Sequence, residues 1–245
     1  SRDLALAVSC SADETAVVWN LSNGKVMHRL TEHSNTVTAC SVASDARICL
    51  TASRDKTLLL WDLTTGARIG GLEGHFEPVQ ACGISADGQT AISGSVDTTV
   101  IVWDVATCAP RHILTEHMAS VLGVAISATG AMAVSASLDQ TVCAWNTLTG
   151  ELLFALRDHQ ARVACCAISA AGDLAISGAL NGSLIVWDLH AGAKQLVLRG
   201  HSHPVQKTDL SADGRIAVSG CKHGLIKVVK KKKKKKKKKE RKKER

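Results

Sequence analysis

A spacing of 42 residues runs through most of this 245-residue chain. All five tryptophans keep that interval, at Trp19, Trp61, Trp103, Trp145 and Trp187. Five histidines keep it as well, at His33, His75, His117, His159 and His201. Because the period holds without an insertion, the units must be structurally equivalent, and the sequence predicts a fold of stacked repeats.

Each unit reads as a set of short β strands. In the best-defined unit, VQACGIS (79–85), QTAISGS (89–95) and TTVIVWD (98–104) are compact apolar runs, and RHILTE (111–116) is more amphipathic. Turn residues separate the runs, and before the fourth strand several units carry a glycine (Gly24, Gly66, Gly150 and Gly192), which supplies the positive φ that tight hairpin turns demand. Lengths of this kind indicate four strands per unit.

The repeated dipeptides carry a family resemblance. The full forms are Gly74-His75, Gly200-His201, Trp61-Asp62, Trp103-Asp104 and Trp187-Asp188. The weaker forms are Glu32-His33, Glu116-His117, Asp158-His159, Trp19-Asn20 and Trp145-Asn146. Over residues 1–229 the sequence resembles the WD-repeat β-propeller family, which implies an all-β propeller of four-stranded antiparallel blades.

About six blades are represented, and we expect the first and the last to be incomplete. Residues 1–229 contain six pairs of second and third strands, but only five first strands and five fourth strands. The first unit lacks its innermost strand and the last lacks its outermost one. Since the two gaps lie in different blades, neither terminus completes the other, and we expect this chain to be an excerpt from a longer repeat array.

The tail, residues 230–245, differs sharply from the rest. It has ten consecutive lysines and fourteen cationic side chains against two acidic ones, so its formal charge is +12 and that of residues 1–229 is −4. Three interpretations stay open: a patch for nucleic acid or anionic lipid, a disordered solvated tail, and translation of an A-rich stretch as an artefact. A protein with a basic folded surface is excluded.

The recurring histidine, hydroxyl and aspartate suggest a hydrolase at first sight. A catalytic triad occurs once and needs an oxyanion hole, whereas this set recurs from unit to unit. The family resemblance implies a structural tetrad instead, in which aspartate, imidazole, hydroxyl and indole are hydrogen-bonded in series. Its members would be His33, Thr51, Asp55 and Trp61; His75, Ser93, Asp97 and Trp103; His117, Ser135, Asp139 and Trp145; and His159, Ser177, Asn181 and Trp187.

Two units depart from this pattern. Asn181 replaces the aspartate of the fifth unit, so that network loses its carboxylate, although the amide oxygen of Asn181 could still accept the hydrogen bond in its place. In the sixth unit His223 and Val229 stand where aspartate and tryptophan are expected, so His201 and Ser219 lose two partners. We therefore predict that the last blade is the least stable.

Nothing in the sequence indicates a cofactor, a metal or an enzyme. There is no GxxxxGK[ST] loop, no GxGxxG after a strand, and no third ligand near His201 and His203. The nine cysteines include no CxxC pair, which is typical of a reduced, intracellular chain without disulfides. No apolar run approaches the roughly 20 residues of a membrane span.

The loops at one rim are the predicted partner-binding surface. By the family's geometry, the segments after each repeated histidine and around each repeated aspartate share that rim. Several are apolar where turns are usually polar, and two carry guanidinium groups, which are favoured at binding hot spots. The predicted contact residues are Arg54, Phe76, Val96, Met118, Leu138, Arg162 and Leu180. The alternative is that these side chains pack against neighbouring loops.

The sequence thus predicts a non-catalytic scaffold that binds other proteins or peptides, located in the cytoplasm. Low aromatic content predicts modest affinity at each site. One alternative is an RNA- or chromatin-associated propeller, nuclear if the basic tail is genuine. Another is the sensor end of a multidomain signalling NTPase, because the regular Ala/Ser-rich repeats look like those that end large NACHT-type proteins.

Overall fold

The computed structural model describes residues 6–230, which form 22 β strands and no helix. Consecutive strands pair antiparallel in six sheets, numbered here 1 to 6 along the chain. The predicted all-β class and blade architecture are confirmed. Within the described range no helix is long and apolar enough to cross a membrane. The predicted disordered tail lies outside the described residues, apart from Lys230.

The strands follow the 42-residue period. Sheet 1 comprises β1 (Leu6–Cys10), β2 (Ala16–Asn20) and β3 (Lys25–Leu30). Sheet 2 comprises β4 (Val37–Val42), β5 (Ile48–Ser53), β6 (Leu58–Asp62) and β7 (Arg68–Leu72). Sheet 3 comprises β8 (Val79–Ile84), β9 (Thr90–Ser95), β10 (Val100–Asp104) and β11 (Ala109–Leu114).

The second half of the chain repeats this arrangement. Sheet 4 comprises β12 (Val121–Ile126), β13 (Met132–Ser137), β14 (Val142–Asn146) and β15 (Leu152–Leu156). Sheet 5 comprises β16 (Val163–Ile168), β17 (Leu174–Ala179), β18 (Leu184–Asp188) and β19 (Ala193–Leu198). Sheet 6 comprises β20 (Val205–Leu210), β21 (Ile216–Cys221) and β22 (Ile226–Lys230).

The position of a strand within its sheet decides its burial. Every residue of β9 is buried, because a middle strand is covered on both faces by neighbouring sheets. The outermost strand β11 is largely exposed and carries Arg111 and His112. This explains why the middle strands read as continuous apolar runs while the outer strand of each unit is amphipathic.

The hydrophobic core lies between sheets. In one cluster Leu50 and Leu60 of sheet 2 pack with Ile101 and Trp103 of sheet 3, and each of the five clusters in the described chain draws on two consecutive sheets in this way. Burying one such side chain stabilises the fold by about 1.5–3 kcal/mol. The inner strands contact one another in chain order, as the blades of a propeller do.

The two terminal sheets have three strands each within residues 6–230, as predicted. Sheet 1 has no described strand inside β1, and sheet 6 has none outside β22. The far face of sheet 6 is correspondingly open: Ile226 is 67% exposed, whereas Leu184, its equivalent in sheet 5, is 3% exposed. Lys230, the first lysine of the tail, belongs to β22.

Candidate functional site

A buried polar network joins the strands and loops of sheet 3. The indole Nε1 of Trp103 donates to Ser93 Oγ at 2.8 Å, and the same hydroxyl lies 2.7 Å from His75 Nε2. On the other side of the ring, His75 Nδ1 lies 2.9 Å from Asp97 Oδ2. The structure therefore brings the four predicted residues of this unit together.

Sheets 2 and 4 contain the same network. His33 lies 2.8 Å from both Thr51 Oγ1 and Asp55 Oδ2, and Trp61 donates to Thr51 at 2.8 Å. In sheet 4 the imidazole of His117 lies 2.7 Å from Ser135 Oγ and 2.9 Å from Asp139 Oδ2, and Trp145 donates to Ser135 at 2.8 Å. Three predicted sets are thus assembled with nearly identical geometry.

The electrostatics of the network favour a neutral ring beside an ionised carboxylate. Burial lowers the pKa of His75, although the neighbouring Asp97 opposes this shift. Burial raises the pKa of Asp97, but hydrogen bonds from Thr99 and the proximity of His75 outweigh it, and the net pKa is below its ordinary value. The bond between the two side chains is therefore charge-assisted at neutral pH.

This arrangement does not present a nucleophile. The Ser93 hydroxyl is fully buried and already accepts the indole N–H of Trp103, so a substrate has no approach to it. A catalytic serine needs an exposed oxygen next to an oxyanion site. What the network can do is satisfy buried polar groups, each of which would otherwise cost about 1–3 kcal/mol.

The aspartate also fixes a rim loop directly. The backbone N–H of Phe76 donates to Asp97 Oδ2 at 3.0 Å, and that of Met118 donates to Asp139 Oδ2 at 3.0 Å. The equivalent N–H of Ser34 donates to the Asp55 carboxylate at 3.1 Å. One carboxylate oxygen thus takes two donors, the imidazole and the first residue of the rim loop.

The sequence reasoning missed two further hydroxyl groups in each of sheets 2 to 4. Ser95 Oγ donates to the Glu77 carbonyl at 2.9 Å and accepts the Asp97 N–H at 3.1 Å, and Thr99 Oγ1 donates to Asp97 Oδ1 at 2.6 Å. Sheets 2 and 4 repeat these bonds through Ser53, Thr57, Ser137 and Thr141. The signal was available, because these residues keep the same period, two positions before and after each aspartate.

Sheet 5 holds only part of the network. His159 Nε2 lies 2.6 Å from Ser177 Oγ, which accepts the Trp187 indole N–H at 2.8 Å. The expectation that the amide oxygen of Asn181 would replace the missing carboxylate is wrong. Asn181 Oδ1 accepts instead from the backbone and hydroxyl of Ser183, at 3.1 and 2.7 Å, and in the described chain His159 Nδ1 has no partner.

Sheets 1 and 6 are reduced further. Trp19 donates to Ser9 at 2.8 Å in sheet 1. His201 Nε2 lies 2.8 Å from Ser219 Oγ, while its Nδ1 finds no partner among residues 6–230. The ring of His223 lies against that of His203, with centroids 4.0 Å apart. No group of three or more candidate metal ligands occurs in the described part of the chain.

The predicted contact residues lie on loops that are joined by main-chain hydrogen bonds. The N–H of Arg54 donates to the Thr36 carbonyl at 2.9 Å, which ties the turn around a repeated aspartate to the loop after a repeated histidine. The same bond starts from three equivalent turn residues, Val96, Leu138 and Leu180. These two loops of each blade therefore share one rim, from Thr36 to Arg162.

Exposure divides the contact residues into two groups. Phe76 is 81% exposed and Met118 is 90% exposed, so neither packs against a neighbouring loop. Arg54 and Arg162 are exposed as well. The other three, Val96, Leu138 and Leu180, are partly buried.

Comparison with known protein families identifies the repeat. The family model described as "WD domain, G-beta repeat" matches five segments of the chain, namely residues 24–62, 66–104, 108–146, 150–188 and 192–230. Each segment runs from a turn between the third and fourth strands to the end of the next third strand. No curated protein matches the chain.

Proposed function

This chain belongs to the WD40 repeat family, and from that premise we propose that it is a scaffold that binds partner proteins through the rim of its blades. WD40 repeats generally mediate protein–protein interactions, and proteins built from them are generally non-catalytic. The proposal adds which residues of this chain make the contact and how they are held.

The proposed contact surface, called the rim patch, consists of Arg54, Phe76, Val96, Met118, Leu138, Arg162 and Leu180. The observation that carries it is the combination of exposure and fixed backbone at Phe76 and Met118. Their side chains are 81% and 90% exposed, yet their backbone N–H groups are held by the partly buried carboxylates of Asp97 and Asp139. Because the loop is already ordered, binding through these side chains costs little additional backbone entropy.

A second contact strengthens the loop that carries Phe76. The Nζ of Lys56, on the preceding blade, donates to the Phe76 carbonyl at 2.7 Å. The Phe76 peptide is therefore held at both its N–H and its C=O, by groups from two different blades. The backbone that carries the phenyl ring is thus held between sheets 2 and 3.

The chemistry of the rim patch indicates the kind of partner. Phe76 and Met118 offer apolar and polarisable surface, and the guanidinium groups of Arg54 and Arg162 favour carboxylates or carbonyl oxygens. We expect a partner segment with an exposed apolar side chain beside acidic residues. With one exposed aromatic ring in the patch, the affinity of a single contact is expected to be modest.

The test compares two truncations. Phe76→Ala/Met118→Ala is measured against Ile113→Ala, whose side chain is 58% exposed on the outer strand β11, away from the rim. Quantitative affinity purification, followed by titration of each recovered partner with purified protein, should show at least about tenfold weaker binding for the rim double variant. The Ile113 control should bind as the wild type does.

Equal recovery of every partner by the rim double variant would contradict the proposal. Equal losses in both variants would also contradict it, because binding would then depend on exposed apolar area in general. Thermal unfolding of both variants must match the wild type, which we expect because exposed substitutions rarely change stability by more than about 0.5 kcal/mol.

A further inference from the structure

A cavity of about 530 Å³ opens at the rim of sheet 5, and its lining includes the incomplete polar network. We call it the sheet 5 notch. It is bounded by the loop at residues 158–160, the turn at residues 181–183, and part of β19 with the segment up to His201. None of its lining residues belongs to the rim patch, although Arg162 and Leu180 of that patch lie on the same two loops; the most exposed apolar residues of the patch, Phe76 and Met118, lie on the loops leading into sheets 3 and 4.

Two nitrogen atoms in the notch lack the carboxylate partner that their equivalents have. In sheet 3 the imidazole of His75 and the N–H of Phe76 converge on one oxygen of Asp97. In sheet 5 the corresponding His159 Nδ1 is buried and unpartnered, and no described residue accepts a hydrogen bond from the N–H of Gln160. A buried polar atom without a hydrogen-bond partner is costly, and here the equivalent networks of sheets 2 to 4 show that the missing partner is a carboxylate oxygen.

Gly182 sets how closely the segment at His201 approaches the turn of sheet 5. Lys56, Thr98 and Gln140 occupy the equivalent turn position in sheets 2 to 4, all with positive φ. At φ +82° Gly182 has no side chain, and a Cβ built there would overlap the carbonyl oxygen of His201. The close approach of that carbonyl therefore requires glycine, and it places His201 in the lining of the notch.

The charge of the notch favours an anion. Lys194 Nζ lies 2.5 Å from Asp158 Oδ1, so this acidic group is already neutralised. In sheet 4 the equivalent carboxylate, Glu116, pairs with Arg157 at 3.5 Å. Arg199 corresponds to Arg157, yet it forms no ion pair with any residue between Leu6 and Lys230. Because burial lowers the pKa of His159 to about 4, its ring is neutral at pH 7, and the notch carries one uncompensated positive charge.

We propose that the sheet 5 notch binds a carboxylate group supplied from outside the chain. One carboxylate oxygen accepts hydrogen bonds from His159 Nδ1 and the Gln160 N–H, the two donors that converge on aspartate in sheets 2 to 4. Arg199 pairs with the other oxygen. His159 Nδ1 is buried, and Asn181 in the same lining is exposed and accepts hydrogen bonds only from Ser183 among the described residues, so rotation of its side chain is the proposed route of entry.

The experiment is an NMR titration of the whole chain with selectively labelled histidine. The probes are acetate, the capped peptide acetyl-Gly-Glu-Gly-amide, its Gln counterpart and inorganic phosphate. Acetate and the Glu peptide should shift the His159 ring nitrogens towards the Nδ1–H tautomer and move the Gln160 amide signal, in a saturable way. A peptide-borne carboxylate is the source if the Glu peptide binds at least about tenfold more tightly than acetate, and a free carboxylate is the source if the two bind equally.

The decisive variant is Asn181→Asp, which supplies the missing carboxylate from within the chain and should strengthen the fold. It should weaken binding of acetate and of the Glu peptide at least about tenfold, and Arg199→Ala should weaken it about threefold or more. Arg157→Ala, at the equivalent position in sheet 4, is the matched control and should change neither value.

Three results would overturn the inference: equal binding of the Glu and Gln peptides, a response to phosphate alone, or unchanged binding in Asn181→Asp. None of these readouts involves Phe76 or Met118, so the outcome is independent of the double variant that tests the proposed function. Conversely, loss of partner binding in Phe76→Ala/Met118→Ala says nothing about the notch.

Discussion

Nδ1 of His75 lies 2.9 Å from Oδ2 of Asp97, although the two residues are 22 positions apart in the chain. The same oxygen, Asp97 Oδ2, contacts the imidazole and accepts the N–H of Phe76. Through His75 and Ser93, the carboxylate therefore connects the buried indole of Trp103 to an exposed rim loop. The network that stabilises the blade is therefore the same one that positions the contact surface.

Exchanging the acid and the amide between sheets 3 and 5 should have opposite effects. Asp97→Asn removes a carboxylate that accepts from His75 and should lower the free energy of unfolding by about 1–3 kcal/mol. Asn181→Asp supplies an acceptor for His159 and should raise the free energy of unfolding by roughly 1 kcal/mol. Urea unfolding midpoints of the two variants and the wild type measure both changes; shifts of the same sign would contradict the assignment.

Two glycines separate the effect of backbone conformation from that of close contact. Gly182 and Gly224 have similar φ angles, +82° and +78°. A Cβ built at Gly224 would meet no other atom, whereas one built at Gly182 would lie 3.0 Å from the carbonyl carbon of His201 and overlap the carbonyl oxygen. Gly224→Ala should cost about 1 kcal/mol of stability from strain alone. Gly182→Ala should cost at least about 1 kcal/mol more, because overpacking adds to the strain. Equal losses in thermal unfolding would show that the His201 carbonyl moves freely.

Stability should fall as the pH falls from about 6.5 towards 4. Burial lowers the pKa of His159 from 6.5 to about 4, so in this window the unfolded chain binds a proton that the folded chain does not. The free energy of unfolding then decreases with decreasing pH, by at most ~1.4 kcal/mol per pH unit for this one group. His75, His117 and His201 have lowered pKa values as well and contribute with the same sign.

Unfolding midpoints at pH 7, 6 and 5 measure this dependence. Asn181→Asp offers the matched variant, since a carboxylate beside His159 raises the pKa of the ring and should make the dependence shallower. Its own carboxyl should titrate below this window, as do the lowered carboxyls of Asp55, Asp97 and Asp139. A dependence of equal steepness in both proteins would show that His159 is not the group responsible.

Sheet 6 is expected to open before sheets 3 and 4. His201 has no partner for Nδ1 within residues 6–230, and Ile226 and Val228 on β22 are 67% and 58% exposed. Hydrogen exchange should therefore be faster in residues 201–229 than in residues 75–145, because opening costs less where fewer apolar contacts are lost. Equal protection of the two segments would refute the predicted weakness of the last blade.

The repeat period made most of the fold predictable. The 42-residue spacing places each strand, each buried tryptophan and each network histidine, because equivalent sequences pack in equivalent surroundings. The incomplete first and last sheets followed from counting strands. The exposed side chains of Phe76 and Met118 also agreed with their positions in the repeat, since apolar residues in a turn have little to pack against there.

The sheet 5 notch could not be predicted from the sequence. Whether Asn181 would bond to His159 or to Ser183 depends on a competition between two nearby groups, and local pattern does not decide it. Lys194 and Arg199 both lie on the side of the blade that faces Asp158, and only the folded geometry shows that Lys194 takes the carboxylate. The need for glycine at Gly182 arises from the distant His201 carbonyl.

The placement of the tryptophans determines which parts of the fold intrinsic fluorescence can follow. The chain has no tyrosine, and one tryptophan stands on the third strand of a full unit in each of the first five sheets, the last being Trp187 on β18. Each of these indoles donates to a hydroxyl. Because this bond is lost when the blade unfolds, the emission of each tryptophan should change when its own blade unfolds. Val229 takes that position in sheet 6, which is therefore dark in intrinsic fluorescence. An unfolding curve measured by tryptophan emission would therefore report on sheets 1 to 5 and miss the opening of sheet 6, which is expected to come first. Far-ultraviolet circular dichroism would report on all six sheets.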